Sequence, residues 1–211
     1  LDFALVTKWK TAADSLLAAR RLARPESRDI LIIGAGSVAG SMIHAYSALF
    51  PNARFSIWNR TLARAQEFAA CHGEHDVRAV NDLPDAARRA DIIATATMSR
   101  SPVLKGEWLR PGQHVDLIGA FRADMREADD AAMRRARVFV DCVDSTIGEI
   151  GELIEPMKSG ALRRDDVLAD FYDLDGGVFS RKTDDEITIC KNGGGAHLDL
   201  MTCRYILDAT A

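Results

Sequence analysis

The chain has 211 residues, of which 47% are hydrophobic and 27% charged, and its 27 Lys+Arg against 31 Asp+Glu leave a net charge of −4. These values exclude wholesale disorder, give no electrostatic case for nucleic acid or an anionic membrane surface, and allow a core without disulfide or metal staples. No apolar run approaches membrane-spanning length and no secretory leader opens the chain, so a cytoplasmic protein is expected.

Residues 1–7 read as a strand, and the start at Leu1 rather than Met leads to the expectation of a larger parent sequence. Residues 11–24 carry Ala, Leu and Arg at helical spacing until Pro25 stops them. The apolar run at 29–33 then predicts a strand buried on both faces, which passes directly into Gly34-Ala35-Gly36-Ser37-Val38-Ala39-Gly40. A helix follows until Pro51, then a strand at 54–58 and a helix at 62–70. Further strands are expected at 77–80, 91–96, 114–118 and 137–143, with a short helix at 84–89. Strands alternating with helices predict an α/β fold with a Rossmann-type, doubly wound parallel sheet. Beyond Gly148 the periodicity weakens, until a strand at 186–190, a Gly-rich corner and a helix at 196–207.

Cys71, Cys142, Cys190 and Cys203 form no CxxC pair and are expected as reduced thiols. Cys71, His72 and His75 lack a fourth ligand at a recognisable spacing, so that stretch reads as a surface loop and no metal site is expected.

The glycine loop follows a buried strand and opens a helix, the context that a dinucleotide fingerprint requires. Gly34 permits the tight turn, Gly36 lets a pyrophosphate approach the backbone, and Ala39 or Gly40 allows close helix–strand packing. Ser37 and Val38 open the helix, where free N–H groups and the dipole favour phosphates. At the end of the second strand, where NAD sites usually carry a carboxylate, stand Asn59, Arg60 and Thr61, with Arg64 one turn on. A guanidinium there can grip a 2′-phosphate, so NADP(H) is favoured over NAD(H). Thr61 also suits a helix N-cap.

Several motifs recur in order: Lys10-Thr11-Ala12-Ala13, Thr95-Ala96-Thr97 before Pro102-Val103-Leu104, and Gly119-Ala120-Phe121 before Asp124-Met125-Arg126-Glu127. Gly151-Glu152-Leu153, Glu186-Ile187-Thr188, and Lys191-Asn192-Gly193-Gly194 with Asp199 complete the set. With the glycine loop they make the chain resemble the ornithine cyclodeaminase/mu-crystallin family over nearly its whole length. Glutamyl-tRNA reductase and shikimate dehydrogenase share an Asn-Arg-Thr-like strand end, but the matches after Gly148 argue against both. The resemblance implies a Rossmann domain inserted into an α+β substrate and dimerisation domain, and a homodimer when full length. The expected division is 1–27 as the end of the substrate domain with a connecting helix, 28–150 as the dinucleotide domain, and 151–211 as the return segment. The N-terminal half of the substrate domain, with its arginine and lysine, is expected to be missing.

The same resemblance points to Lys10 and Thr11 for a cofactor phosphate, and to Thr95, Thr97, Gly119 and Asn192 for the cofactor. It makes Lys10, Asn192 and Gly193 candidates for a substrate carboxylate. The Gly193-Gly194-Gly195 run would bring backbone N–H groups towards the ligand, or serve simply as a flexible corner. His197 and Asp199 receive no role. Phe121 stands where true cyclodeaminases of the family have their catalytic aspartate, and a phenyl ring cannot accept a proton. The expected activity is therefore hydride transfer from NADPH to the C=N bond of a cyclic ketimine carboxylate or imino acid, a small amino-acid-derived substrate. A cyclodeaminase and a non-catalytic NADP-binding module are the alternatives.

Overall fold

Ile30, Leu31, Ile32 and Ile33 are all fully buried, and they divide between two apolar layers as strand geometry requires. Their strand is the centre of the fold. The computed structural model describes residues 2–210. In chain order its elements are α1 (Phe3–Leu22), β1 (Asp29–Ile33), α2 (Ser37–Leu49), β2 (Arg54–Trp58), α3 (Leu62–Ala70) and β3 (Val77–Ala79). They continue with α4 (Leu83–Arg89), β4 (Ile92–Thr95), β5 (His114–Leu117), α5 (Asp130–Arg135) and β6 (Ala136–Val140). The last are α6 (Val143–Thr146), α7 (Gly151–Ser159), β7 (Ile187–Lys191) and α8 (Ala196–Thr210).

The strands form one parallel seven-stranded sheet in the order β3-β2-β1-β4-β5-β7-β6. Chain direction across the sheet reverses between β1 and β4, the switch point at which open α/β sheets bind ligands. One layer packs Leu31, Ile33, Ile93 and Val115 under α4, α5 and α7. The other packs Ile30, Ile32, Phe55 and Ile92 under α1, α2 and α3. This is the doubly wound architecture that the alternating pattern predicts.

Two expectations change. Residues 3–7 are the first turns of α1 and not a strand, while Leu1 lies outside the described residues. A stretch of seven residues is too short to show a period of its own, but its continuation supplies one. Val6, Lys10, Asp14, Ala18 and Leu22 are spaced four apart and all buried, a single helical stripe. The strand of the return segment lies within the dinucleotide sheet, where β7 pairs with β5 on one side and β6 on the other. Every residue of β7 is buried, including Lys191.

Candidate functional site

Gly34 leaves β1 at φ 120°, and a Cβ there would lie 2.6 Å from the Ala96 carbonyl oxygen. Only glycine allows the loop to pass so close to the end of β4. Gly36 forms the N-cap position of α2, and nothing lies within 4 Å of where its Cβ would be. The space above the helix N-terminus is therefore open to a ligand's phosphates, which the free N–H groups favour.

Two clefts flank this loop and share Ala96, Thr97 and Met98. One, of about 450 Å³, is lined by Gly34, Gly36, Asn59, Arg60, Thr61 and Arg64, and among the described residues no carboxylate lines it. Thr61 occupies the N-cap position of α3, yet its side chain makes no capping hydrogen bond. Asn59 Nδ2 donates to the Thr61 carbonyl at 3.0 Å, which shapes the turn between the two. The second cleft, of about 360 Å³, is lined by Lys10, Thr11, Asp14, Val38, Thr97, Gly119, Phe121, Asn192 and Gly193, among others.

Of the residues expected at the site, Ser37, Ala39 and Thr95 line neither cleft. Ala39 and Thr95 are fully buried, and the Ser37 carbonyl accepts from Ser41 Oγ one turn along α2. Lys10 reaches the second cleft with its charge already met, its Nζ lying 2.7 Å from Asp199 Oδ1 and 3.4 Å from the Gly194 carbonyl. Asp199 thus has a partner that sequence did not suggest. The N–H of Gly194 donates to Asp141 Oδ2 at 2.8 Å, so one amide of the glycine run holds its own loop.

Three carboxyl groups that sequence reasoning passed over organise this region. Glu127 accepts from the Thr95 hydroxyl at 2.7 Å, from Thr97 N–H and hydroxyl at 2.8 and 2.6 Å, and from Gly119 and Ala120 N–H at 2.7 and 3.2 Å. One carboxylate thereby fixes the ends of both β4 and β5, and the Thr97 hydroxyl is committed to it. A Cβ on Gly119 would lie 1.8 Å from the Thr97 carbonyl oxygen, which explains the glycine at that position. Glu152 accepts from the N–H groups of Glu127 and Ala128 at 2.6 and 2.9 Å. Burial, with the charge of Glu127 beside it, raises the Glu152 carboxyl to about 7 against the pull of Lys191 and of those two N–H groups.

The third is Asp14. It is buried, it lines the second cleft, and its Oδ1 has no hydrogen-bond partner among the described residues. Burial raises its carboxyl well above the ordinary range, reinforced by Asp141 and Asp116 and opposed by Lys191 and Lys10. Burial of this kind favours the neutral form of a carboxyl over the charged one. Its signal in the sequence was an Asp one turn after Lys10, which becomes meaningful only once residues 3–10 are helical.

Comparison with known proteins places the chain as a whole among its relatives. The Delta(1)-pyrroline-2-carboxylate reductase of Paracoccus denitrificans is 56% identical over 210 residues, covering 98% of this chain and 66% of the relative. The ketimine reductase mu-crystallin of Mus musculus is 34% identical, covering 99% of this chain and 64% of the relative. The solved Delta(1)-pyrroline-2-carboxylate reductase of Thermococcus litoralis, in complex with NADH and L-proline, superposes with a TM-score of 0.89 at 30% identity. That match covers 95% of this chain and 63% of the solved one. The chain thus spans a little under two thirds of the length of these relatives. The ornithine cyclodeaminase/mu-crystallin family model matches residues 1–211. With the doubly wound sheet, the glycine loop and two clefts meeting at its switch point, this chain belongs to the ornithine cyclodeaminase/mu-crystallin family.

Proposed function

We propose that this chain forms the nicotinamide-binding part of an NADP(H)-linked reductase that converts a cyclic ketimine carboxylate, of the Δ1-pyrroline-2-carboxylate kind, to the corresponding cyclic amino acid. The observation that carries this reading is the buried Asp14 carboxyl, its Oδ1 without a hydrogen-bond partner among the described residues, in a cleft that adjoins an arginine-lined one. Reduction of a C=N bond needs a hydride at carbon and a proton at nitrogen. A bound dihydronicotinamide supplies the hydride. Asp14 supplies the proton, and solvent reprotonates the resulting carboxylate after product leaves. Glu127 holds Thr97, which lines both clefts, and Gly119, which lines the second. Phe121, half exposed at the mouth, offers an apolar face to the ring and no base for amine elimination, which disfavours cyclodeamination.

The preference for NADP(H) rests on Arg60 and Arg64 in a cleft lined by no acidic side chain. The names of the P. denitrificans and T. litoralis relatives support the substrate class. The exposed Leu200, Met201, Tyr205 and Leu207 of α8 support a seam there with a second domain, as expected for a two-domain dimer. The test is loss of NADPH absorbance on addition of Δ1-pyrroline-2-carboxylate, with proline as product and NADH less effective. Ammonia release from ornithine without NADPH oxidation would overturn the reductase reading. Equal use of NADH and NADPH would overturn the arginine assignment alone.

A further inference from the structure

His44 projects from α2, while Glu74 and His75 lie in the loop between α3 and β3, and none of the three lines either cleft. Their ligand atoms all fall within 4.8 Å of one another. His75 Nε2 is 3.3 Å from His44 Nδ1 and 3.9 Å from Glu74 Oε1. Two zinc–imidazole bonds of about 2.05 Å at the tetrahedral angle span about 3.3 Å between nitrogens. The two rings therefore stand at the separation of two ligands on one ion.

The surroundings of His75 fit the same role. Its Nδ1 lies 3.2 Å from Ser47 Oγ, one turn further along α2 than His44. With the Nδ1–H donated to that hydroxyl, the Nε2 lone pair faces His44 and Glu74, the outer-shell arrangement that orients metal-binding imidazoles. His72 braces the loop from behind, its ring stacked on Phe68 at 4.3 Å and its Nδ1 2.8 Å from the Phe68 carbonyl oxygen. In sequence the stretch from Cys71 to His75 lacks a further ligand; the fold supplies it from a helix 31 residues away.

We propose that His44 Nδ1, His75 Nε2 and the Glu74 carboxylate bind one divalent transition ion of the zinc class, with water completing a tetrahedron. Glu74 is exposed, so rotation of its side chain closes the remaining distance at little cost. The ion ties α2 to the loop that precedes β3, one of the two edge strands of the sheet. Imidazole and carboxylate ligands in this number select zinc over magnesium, which demands octahedral oxygen.

The test is titration of EDTA-stripped protein with Zn²⁺, Co²⁺ and Mg²⁺. We expect one Zn²⁺ per chain by calorimetry, an intense visible Co²⁺ band of four-coordinate character, and no response to Mg²⁺. Melting temperature should rise by about 5 °C or more at a hundredfold excess of Zn²⁺ over Kd. His44→Ala and His75→Ala should each weaken Zn²⁺ binding at least ~100-fold, and Cys71→Ser should not. NADPH binding, retained by the histidine variants, reports that they are folded. Absence of Zn²⁺ binding, a weak six-coordinate Co²⁺ spectrum, or binding that survives both histidine substitutions would overturn the proposal.

Discussion

Asp14 follows Lys10 by one helical turn on α1, and the two differ in how their charge is met. Lys10 has Asp199 at 2.7 Å, while Asp14 Oδ1 has no hydrogen-bond partner among the described residues. The cheapest state for a buried carboxyl without a donor is the neutral one. Asp14→Asn keeps the shape and removes the proton, so kcat should fall on the order of a hundredfold with little change in KM. In the native protein activity should decline as pH rises through the elevated Asp14 pKa, and the variant should lose that alkaline limb. A pH–rate profile of both proteins checks this; an unchanged limb in Asp14→Asn would remove Asp14 from the chemistry. The glycine loop and the Asn59, Arg60 and Thr61 corner were legible because backbone geometry and charge at a strand end leave short, positional signatures. Asp14, Glu127 and Asp141 were not, because their partners come from elsewhere in the chain: Glu127, for instance, binds Thr95 and Thr97, some 30 residues earlier.

At the scale of elements, α1 shows how the end of a helix is fixed by distant groups. Its last carbonyls belong at a buried end and require donors. The Leu22 carbonyl receives Arg181 Nε at 2.7 Å and Thr188 Oγ1 at 3.0 Å. The same guanidinium donates to the carbonyls of Thr183, Glu186, Gly112 and Gln113, tying α1 to the entries of β5 and β7. Arg181→Ala leaves several of these acceptors without donors and should cost about 2–4 kcal/mol of stability by denaturant unfolding. Arg181→Lys should recover little, since an ammonium cannot span the fork that a planar guanidinium covers. Full rescue by lysine would show that charge alone matters at this position. The strands β1, β2, β4 and β5 were legible from their apolar runs. The place of β7 was not, because a buried strand looks the same whether it enters the sheet in sequence order or slots between β5 and β6.

Across the whole molecule, buried carboxyls set how stability depends on pH. Glu152 titrates at about 7 in the fold, through burial and the neighbouring Glu127, against an ordinary value of 4.5. Asp14 is displaced in the same direction. Between pH 4.5 and 7 the folded chain therefore holds more protons than the unfolded one, and stability falls as pH rises through that window. Asp91 and Asp130 are displaced downward by their hydrogen-bond donors and guanidinium partners, so what they contribute is complete above the ordinary carboxylate range and lost only in acid. The two sets place the stability maximum near pH 5, with a decline on the order of 2 kcal/mol by pH 8. Lys191 is depressed by burial, so its cost is relieved as pH climbs towards the ordinary lysine value and the decline should flatten in alkali. Glu152→Gln removes a titration near neutrality, and its unfolding free energy should be flatter from pH 5 to 8 than that of the native chain. Urea unfolding at unit pH steps measures both curves, and a native profile that rises from pH 5 to 8 would contradict the neutral, proton-bearing interior on which the reading of Asp14 also depends.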